Sequence, residues 1–193
     1  MKRNIVFASI TISVILFISV ASFSCRTEPA ELPQSLTPPE QIMQPLPKSE
    51  VTRMEVGDSA PDFNLQSVDR QTITLSSLRG KNVVLNFWVS TCPACLEELP
   101  YFETISKDIS NDKTVLLAIN AGERDPVVQY ESKRLNLTFP VLLDIDGKVC
   151  KAYGHGSPTT FFIDSEGIIK QIVDEAFEEP KEIDNILKLL RWY

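Results

Sequence analysis

The sequence predicts an α/β fold in which a central mixed β-sheet is flanked by helices. Strand-like and helix-like patterns alternate along the chain, which favours that layered architecture. The apolar run 83–88 suits a buried strand, and directly after it Leu96, Leu99, Phe102 and Ile105 recur at helical spacing. At the far end, residues 180–191 place Ile183, Ile186, Leu187 and Leu190 on one face, as a helix docking on a sheet requires. With 43% hydrophobic and 23% charged residues, one domain can bury a sizeable core without disulfide staples.

Residues 1–25 read as addressing rather than fold. Lys2 and Arg3 precede the apolar segment 5–20, and Ala21, Ser22, Phe23 and Ser24 lead to Cys25 as a processing point. Cys25 as first mature residue would carry lipid, although Ser22 and Phe23 depart from the Leu and small residue usual in bacterial lipoprotein boxes. The other reading is an uncleaved anchor, since 5–23 is close to bilayer-spanning length. Positive residues before the apolar run keep the N-terminus cytoplasmic and the remainder outside in both cases. Residues 26–53 form a linker whose prolines (29, 33, 38, 39, 45 and 47) block helix and favour extended chain. The domain then occupies 54–193.

Within the domain, 115–119 reads as a strand after the first helix. Asp125 followed by Pro126 reads as an N-cap and first helical position, opening a helix to about Leu135. Residues 139–143 suit a strand, Asp146-Gly147 a turn, and 149–153 a short helix. Strands 159–163 and 168–173 pair around Ser165-Glu166-Gly167. The formal charge is −7, and losing Lys2 and Arg3 with a leader would leave −9, which argues against nucleic acid as a partner.

Chemistry concentrates at Cys92-Pro93-Ala94-Cys95, where the strand hands over to the helix. Two intervening residues let the sulfurs close a small ring across the first helical turn. Unsatisfied N–H groups and the helix dipole there favour a thiolate, making Cys92 the attacking sulfur. Half of a structural zinc site is the competing reading. It needs two more close ligands, and only Cys25, Cys150 and His155 remain, with no second close pair. No metal or cofactor is expected.

Several separated segments together resemble the thioredoxin superfamily, in particular its extracytoplasmic TlpA/ResA-like thiol-disulfide oxidoreductases. They are Val56-Gly57-Asp58-Ser59-Ala60-Pro61-Asp62-Phe63, Asn86-Phe87-Trp88 before the cysteine pair, Pro100 five residues after Cys95, and Pro158-Thr159-Thr160-Phe161. The resemblance covers most of residues 54–193 and implies a thioredoxin-like fold. It also implies thiol-disulfide exchange: Cys92 attacks a partner disulfide and Cys95 resolves the mixed disulfide. Where thioredoxins carry a buried aspartate this chain has Asn86, which cannot take the Cys95 proton. Glu98, three residues beyond Cys95, is the expected acceptor, as in the ResA-like proteins; the competing reading is a solvated helix residue. Pro158 is expected in a cis peptide opposite the cysteines, exposing the Ser157 backbone to an extended substrate, with Trp88 as core and site wall.

The chain also departs from the pattern. The spacing from Tyr153 to Pro158 is one residue short, His155 and Ser157 replace apolar residues, and Thr91 stands where thioredoxins have a second tryptophan. His155 would tune the thiolate if it approached Cys92, while a lone loop histidine more often serves as a surface hydrogen-bonder. Cys150 is read as core packing. The function implied is a membrane-tethered, extracytoplasmic oxidoreductase that reduces disulfides in exported proteins, such as apocytochromes c, and draws electrons from a membrane donor. Two alternatives stand beside it. A peroxiredoxin-like thiol peroxidase would share the opening segment, but Val89 occupies its threonine position. A non-catalytic peptide-binding module would not need Cys92.

Overall fold

The computed structural model describes residues 53–109 and 113–192. The expected leader, Cys25 and nearly all of the proline-rich linker lie outside the described residues.

Five strands form the central sheet: β3 (Asn82–Trp88), β4 (Thr114–Ala121), β5 (Val141–Asp144), β6 (Thr159–Ile163) and β7 (Ile169–Val173). Their order is β5-β4-β3-β6-β7, with β3, β4 and β5 mutually parallel and β6 and β7 added antiparallel. β3 lies at the centre, buried from Val83 through Trp88. Strand periodicity divides its side chains between two faces. Val84 and Trp88 join Leu116, Ala118 and Phe162 under helices α1 (Pro93–Asp108) and α4 (Pro180–Leu190). Val83, Leu85 and Phe87 join Leu117, Ile119, Phe161 and Tyr153 of α3 (Lys148–Tyr153) on the other face.

That second face is completed by an element the sequence reading did not anticipate. β1 (Asn64–Gln66) and β2 (Thr72–Thr74) form an antiparallel hairpin followed by a 3-10 turn over Leu75–Leu78. Phe63 and Leu75, at its edges, are buried in the cluster.

Three boundaries are corrected. Helix α2 (Asp125–Arg134) begins with Asp125 inside the helix and Arg124 as its cap. The Asp125 carboxylate is held by Arg70 at 2.6 Å and makes no cap bond to the helix. β5 starts at Val141 rather than residue 139, because Pro140 has no N–H to give a ladder; its carbonyl still accepts from Ala118 N–H at 3.1 Å. The helix expected over 149–153 gains Lys148 because the buried Asp144 carboxylate accepts from the Val149 and Cys150 N–H groups, at 3.2 and 2.8 Å, and so caps its start.

α1 continues through Pro100, an exposed position where the ring can be accommodated on the solvent side. Its inner face buries Cys95, Glu98, Leu99, Phe102, Glu103 and Ile105. Glu103 ties the helix to the approach to β5, accepting from Thr138 N–H at 2.7 Å and Thr138 Oγ1 at 2.9 Å.

Candidate active site

Cys92 is the N-cap of α1 and is bonded to Cys95 as a disulfide, with the two Cα atoms 5.3 Å apart. Its Sγ accepts the Cys95 N–H at 3.1 Å, so a backbone donor at the helix start already points at this sulfur. Cys92 is half-buried and Cys95 is wholly buried. This asymmetry suits an outer sulfur that meets a partner and an inner one that only resolves.

Glu98 lies one helical turn beyond Cys95 on the inner face, where side chains three apart are neighbours. It is 0% exposed, so the solvated reading is excluded. One carboxylate oxygen accepts from Asn86 Nδ2 at 2.9 Å and the other from Phe177 N–H at 3.0 Å. Burial dominates these bonds and pushes the Glu98 carboxyl up to about 7. A group poised there can take or release a proton near neutrality. Asn86 Nδ2 also reaches Thr160 Oγ1 at 3.0 Å, while its Oδ1 is buried without a partner. Asn86 cannot take the proton itself, but it orients the side chain that can.

The Ser157–Pro158 peptide is cis. β6 pairs with β3 so that Thr159 faces Phe87. Continuing that register sets Pro158 beside Trp88, at the end of the sheet from which the chain runs on to Cys92. Trp88 itself is 0% exposed, its indole N–H buried and unpartnered. In this oxidised form it packs with Cys95 in the core, and the substrate-contacting role expected for it is not visible.

His155 does not serve as an exposed surface group. Its ring is nearly buried and its polar partners are Asp174, Met54 and Arg53. Cys150 is half-buried, consistent with packing; burial foremost, then the Asp144 carboxylate, pushes its thiol up. Among the described residues no cluster of His, Cys, Asp and Glu could hold a metal ion, and no helix is long and apolar enough to cross a membrane.

Glu123 was not singled out from the sequence. It follows β4, and its carboxylate accepts from Ser90 N–H at 2.7 Å, Ser90 Oγ at 2.5 Å and Asn120 Nδ2 at 2.6 Å. Burial raises its proton affinity, but the bonds from Asn120 and Ser90 outweigh that and hold the carboxyl below its ordinary value. The fixed carboxylate clamps the loop two residues before Cys92. The only hint in the sequence is an acid placed just past a buried strand.

Comparison with known proteins agrees with this geometry. The family described as AhpC/TSA matches residues 56–172. The thiol-disulfide oxidoreductase ResA of Geobacillus thermodenitrificans (strain NG80-2) is 39% identical over 126 residues, covering 65% of this chain and 72% of the relative. The protein of that name from Bacillus subtilis (strain 168) is 37% identical over 124 residues, 64% of this chain and 69% of the relative. The crystal structure of the pneumococcal exposed lipoprotein thioredoxin Etrx1, from Streptococcus pneumoniae strain TIGR4, superposes with a TM-score of 0.58 at 36% identity, covering 67% of this chain and 99% of that one.

Proposed function

Since the chain belongs to the AhpC/TSA family of the thioredoxin superfamily and is a thiol-disulfide oxidoreductase of the ResA kind, we propose that it works as a membrane-tethered, extracytoplasmic reductant of protein disulfides. The observation that carries the exchange chemistry is the Cys92–Cys95 pair at the start of α1, outer sulfur half-buried and inner one buried, with Glu98 buried one turn behind Cys95. In the reduced protein, the Cys92 thiolate attacks a substrate disulfide, forming a mixed disulfide and expelling one substrate thiolate. Glu98 takes the Cys95 proton, and the Cys95 thiolate attacks Cys92 Sγ. The second substrate thiolate leaves, and the Cys92–Cys95 disulfide remains, as the structure holds it. The proton on Glu98 returns to solvent or to a departing thiolate. A membrane electron donor then restores the dithiol.

Ser157 and cis-Pro158 supply the edge on which an extended substrate segment pairs, giving affinity through main-chain bonds with little demand on sequence. Exported proteins with vicinal cysteines, apocytochromes c among them, fit such a site. Tethering rests on the leader and on Cys25 as a lipid acceptor, and one relative is described as an exposed lipoprotein.

The test is the reduction potential of the Cys92–Cys95 pair, read by equilibrating the protein against glutathione or dithiothreitol and counting thiols by mass spectrometry. A potential below about −220 mV supports the reductant, whereas one near −120 mV would make the protein a disulfide donor.

A further inference from the structure

Arg53, His155, Thr159 and Asp174 converge beside the cis-proline loop. His155 is the chain's only histidine, and its ring is 3% exposed. Nδ1 lies 2.6 Å from Asp174 Oδ1, and Nε2 lies 2.9 Å from the Met54 carbonyl oxygen. A carboxylate and a carbonyl are both acceptors. The ring thereby joins its own loop to Asp174, just past β7, and to Met54, ahead of β1.

Arg53 Nε donates toward the ring nitrogens of His155, at 3.2 and 3.4 Å, while its guanidinium also reaches the other oxygen of Asp174. Phe161 of β6 meets the ring edge-on, with centroids 5.1 Å apart. The Cys150 thiol of α3 donates to the His155 backbone carbonyl at 3.5 Å. Arg53 and His155 thus share the Asp174 carboxylate. Burial raises that carboxyl, but the bonds and charges of His155, Arg53 and Thr159 outweigh burial and hold it below its ordinary value.

The placement of these bonds gives them a purpose. Asp174 Oδ1 also accepts from Thr159 Oγ1 at 3.2 Å. Ser157 and cis-Pro158 are therefore bracketed by His155 on one side and Thr159 on the other, both fastened to one carboxylate. We propose that His155 and Asp174 are positioning residues for the polypeptide-binding loop, fixing Ser157–Pro158 for an extended substrate. This rests on the reading, made above, that the loop binds substrate main chain.

The test uses the full chain in detergent, reduced beforehand and freed of reductant, beside His155→Gln and Asp174→Asn. Oxidation of its Cys92–Cys95 pair in a single turnover is followed with insulin and with the small disulfide 5,5′-dithiobis(2-nitrobenzoate) as oxidants. Each variant should raise the half-saturating insulin concentration about tenfold, with the saturating rate and the rate with the small disulfide within about twofold. An unchanged half-saturating concentration, or an equal loss on both substrates, would overturn the proposal. If the wild type reduced neither substrate, the proposed function itself would fall, whereas a wild type active on insulin with variants unchanged would overturn only the role given to His155 and Asp174.

Discussion

Glu98→Gln should reverse its effect on stability between acid and alkaline solution. The Glu98 carboxyl is pushed from its reference value of 4.5 up to about 7, chiefly by burial. The folded state therefore binds its proton more tightly than the unfolded chain does. The stability this confers is complete below about pH 4.5 and is lost as pH rises through about 7. A shift of that size corresponds to roughly 3 kcal/mol between the two limits. Glutamine carries no charge and so escapes the loss. Its amide, however, can accept from only one of the Asn86 Nδ2 and Phe177 N–H donors that the carboxylate now serves, which costs about 1–3 kcal/mol at every pH. The variant should then be the less stable protein at pH 5 and equal to or more stable than the wild type at pH 8. Urea denaturation of both oxidised proteins at the two pH values measures this directly. An identical difference in unfolding free energy at pH 5 and pH 8 would refute the argument, because it would mean that the carboxyl titrates alike folded and unfolded.

The same substitution should slow resolution of the mixed disulfide roughly a hundredfold while leaving attack by Cys92 nearly unchanged, as single-turnover quench experiments would resolve. Cys95→Ser should accumulate a stable mixed disulfide with a substrate, visible by mass spectrometry, and Cys92→Ser should give none. Glu123→Ala leaves the Ser90 N–H and the buried Asn120 amide without their acceptor, so the oxidised protein should lose about 2–4 kcal/mol in urea titrations. Leu99→Ala, at a fully buried position between α1 and the sheet, should cost about 2–5 kcal/mol in the same titration with little change in the reduction potential.

What the sequence made legible was whatever is written in neighbouring residues. The apolar run at β3, the helical spacing of α1, the turn between β6 and β7 and the apolar face of α4 are local patterns, and each lies within a residue or two of its expected place. The β1–β2 hairpin was not legible, since strands of three residues carry no period, and Arg70, with φ 67°, turns the chain where a glycine would have signalled it. The cysteine pair announces itself by spacing. Burial of Glu98 does not, because a glutamate on a helix ordinarily faces water; its donors come from β3 and from a loop 79 residues away. Glu123 on Ser90 and Asp174 on His155 were hidden for the same reason. Such pairs exist only once distant elements are stacked, and no local pattern records them.

The stretch from Asp174 to Phe177 carries two loads at once. Its first residue holds His155 and Thr159 on either side of the cis Ser157–Pro158 peptide, and the backbone of its last is a hydrogen-bond donor to Glu98. Between them stand only Glu175, which is exposed, and Ala176. In a lineage of such proteins, one insertion here would shift the footing of the cis-proline loop and of the Glu98 carboxyl together, while changes in either the cysteine helix or the loop alone would touch one of them. This short connector is therefore where the length of the chain should be held most tightly, although neither of its intervening side chains takes part in the chemistry.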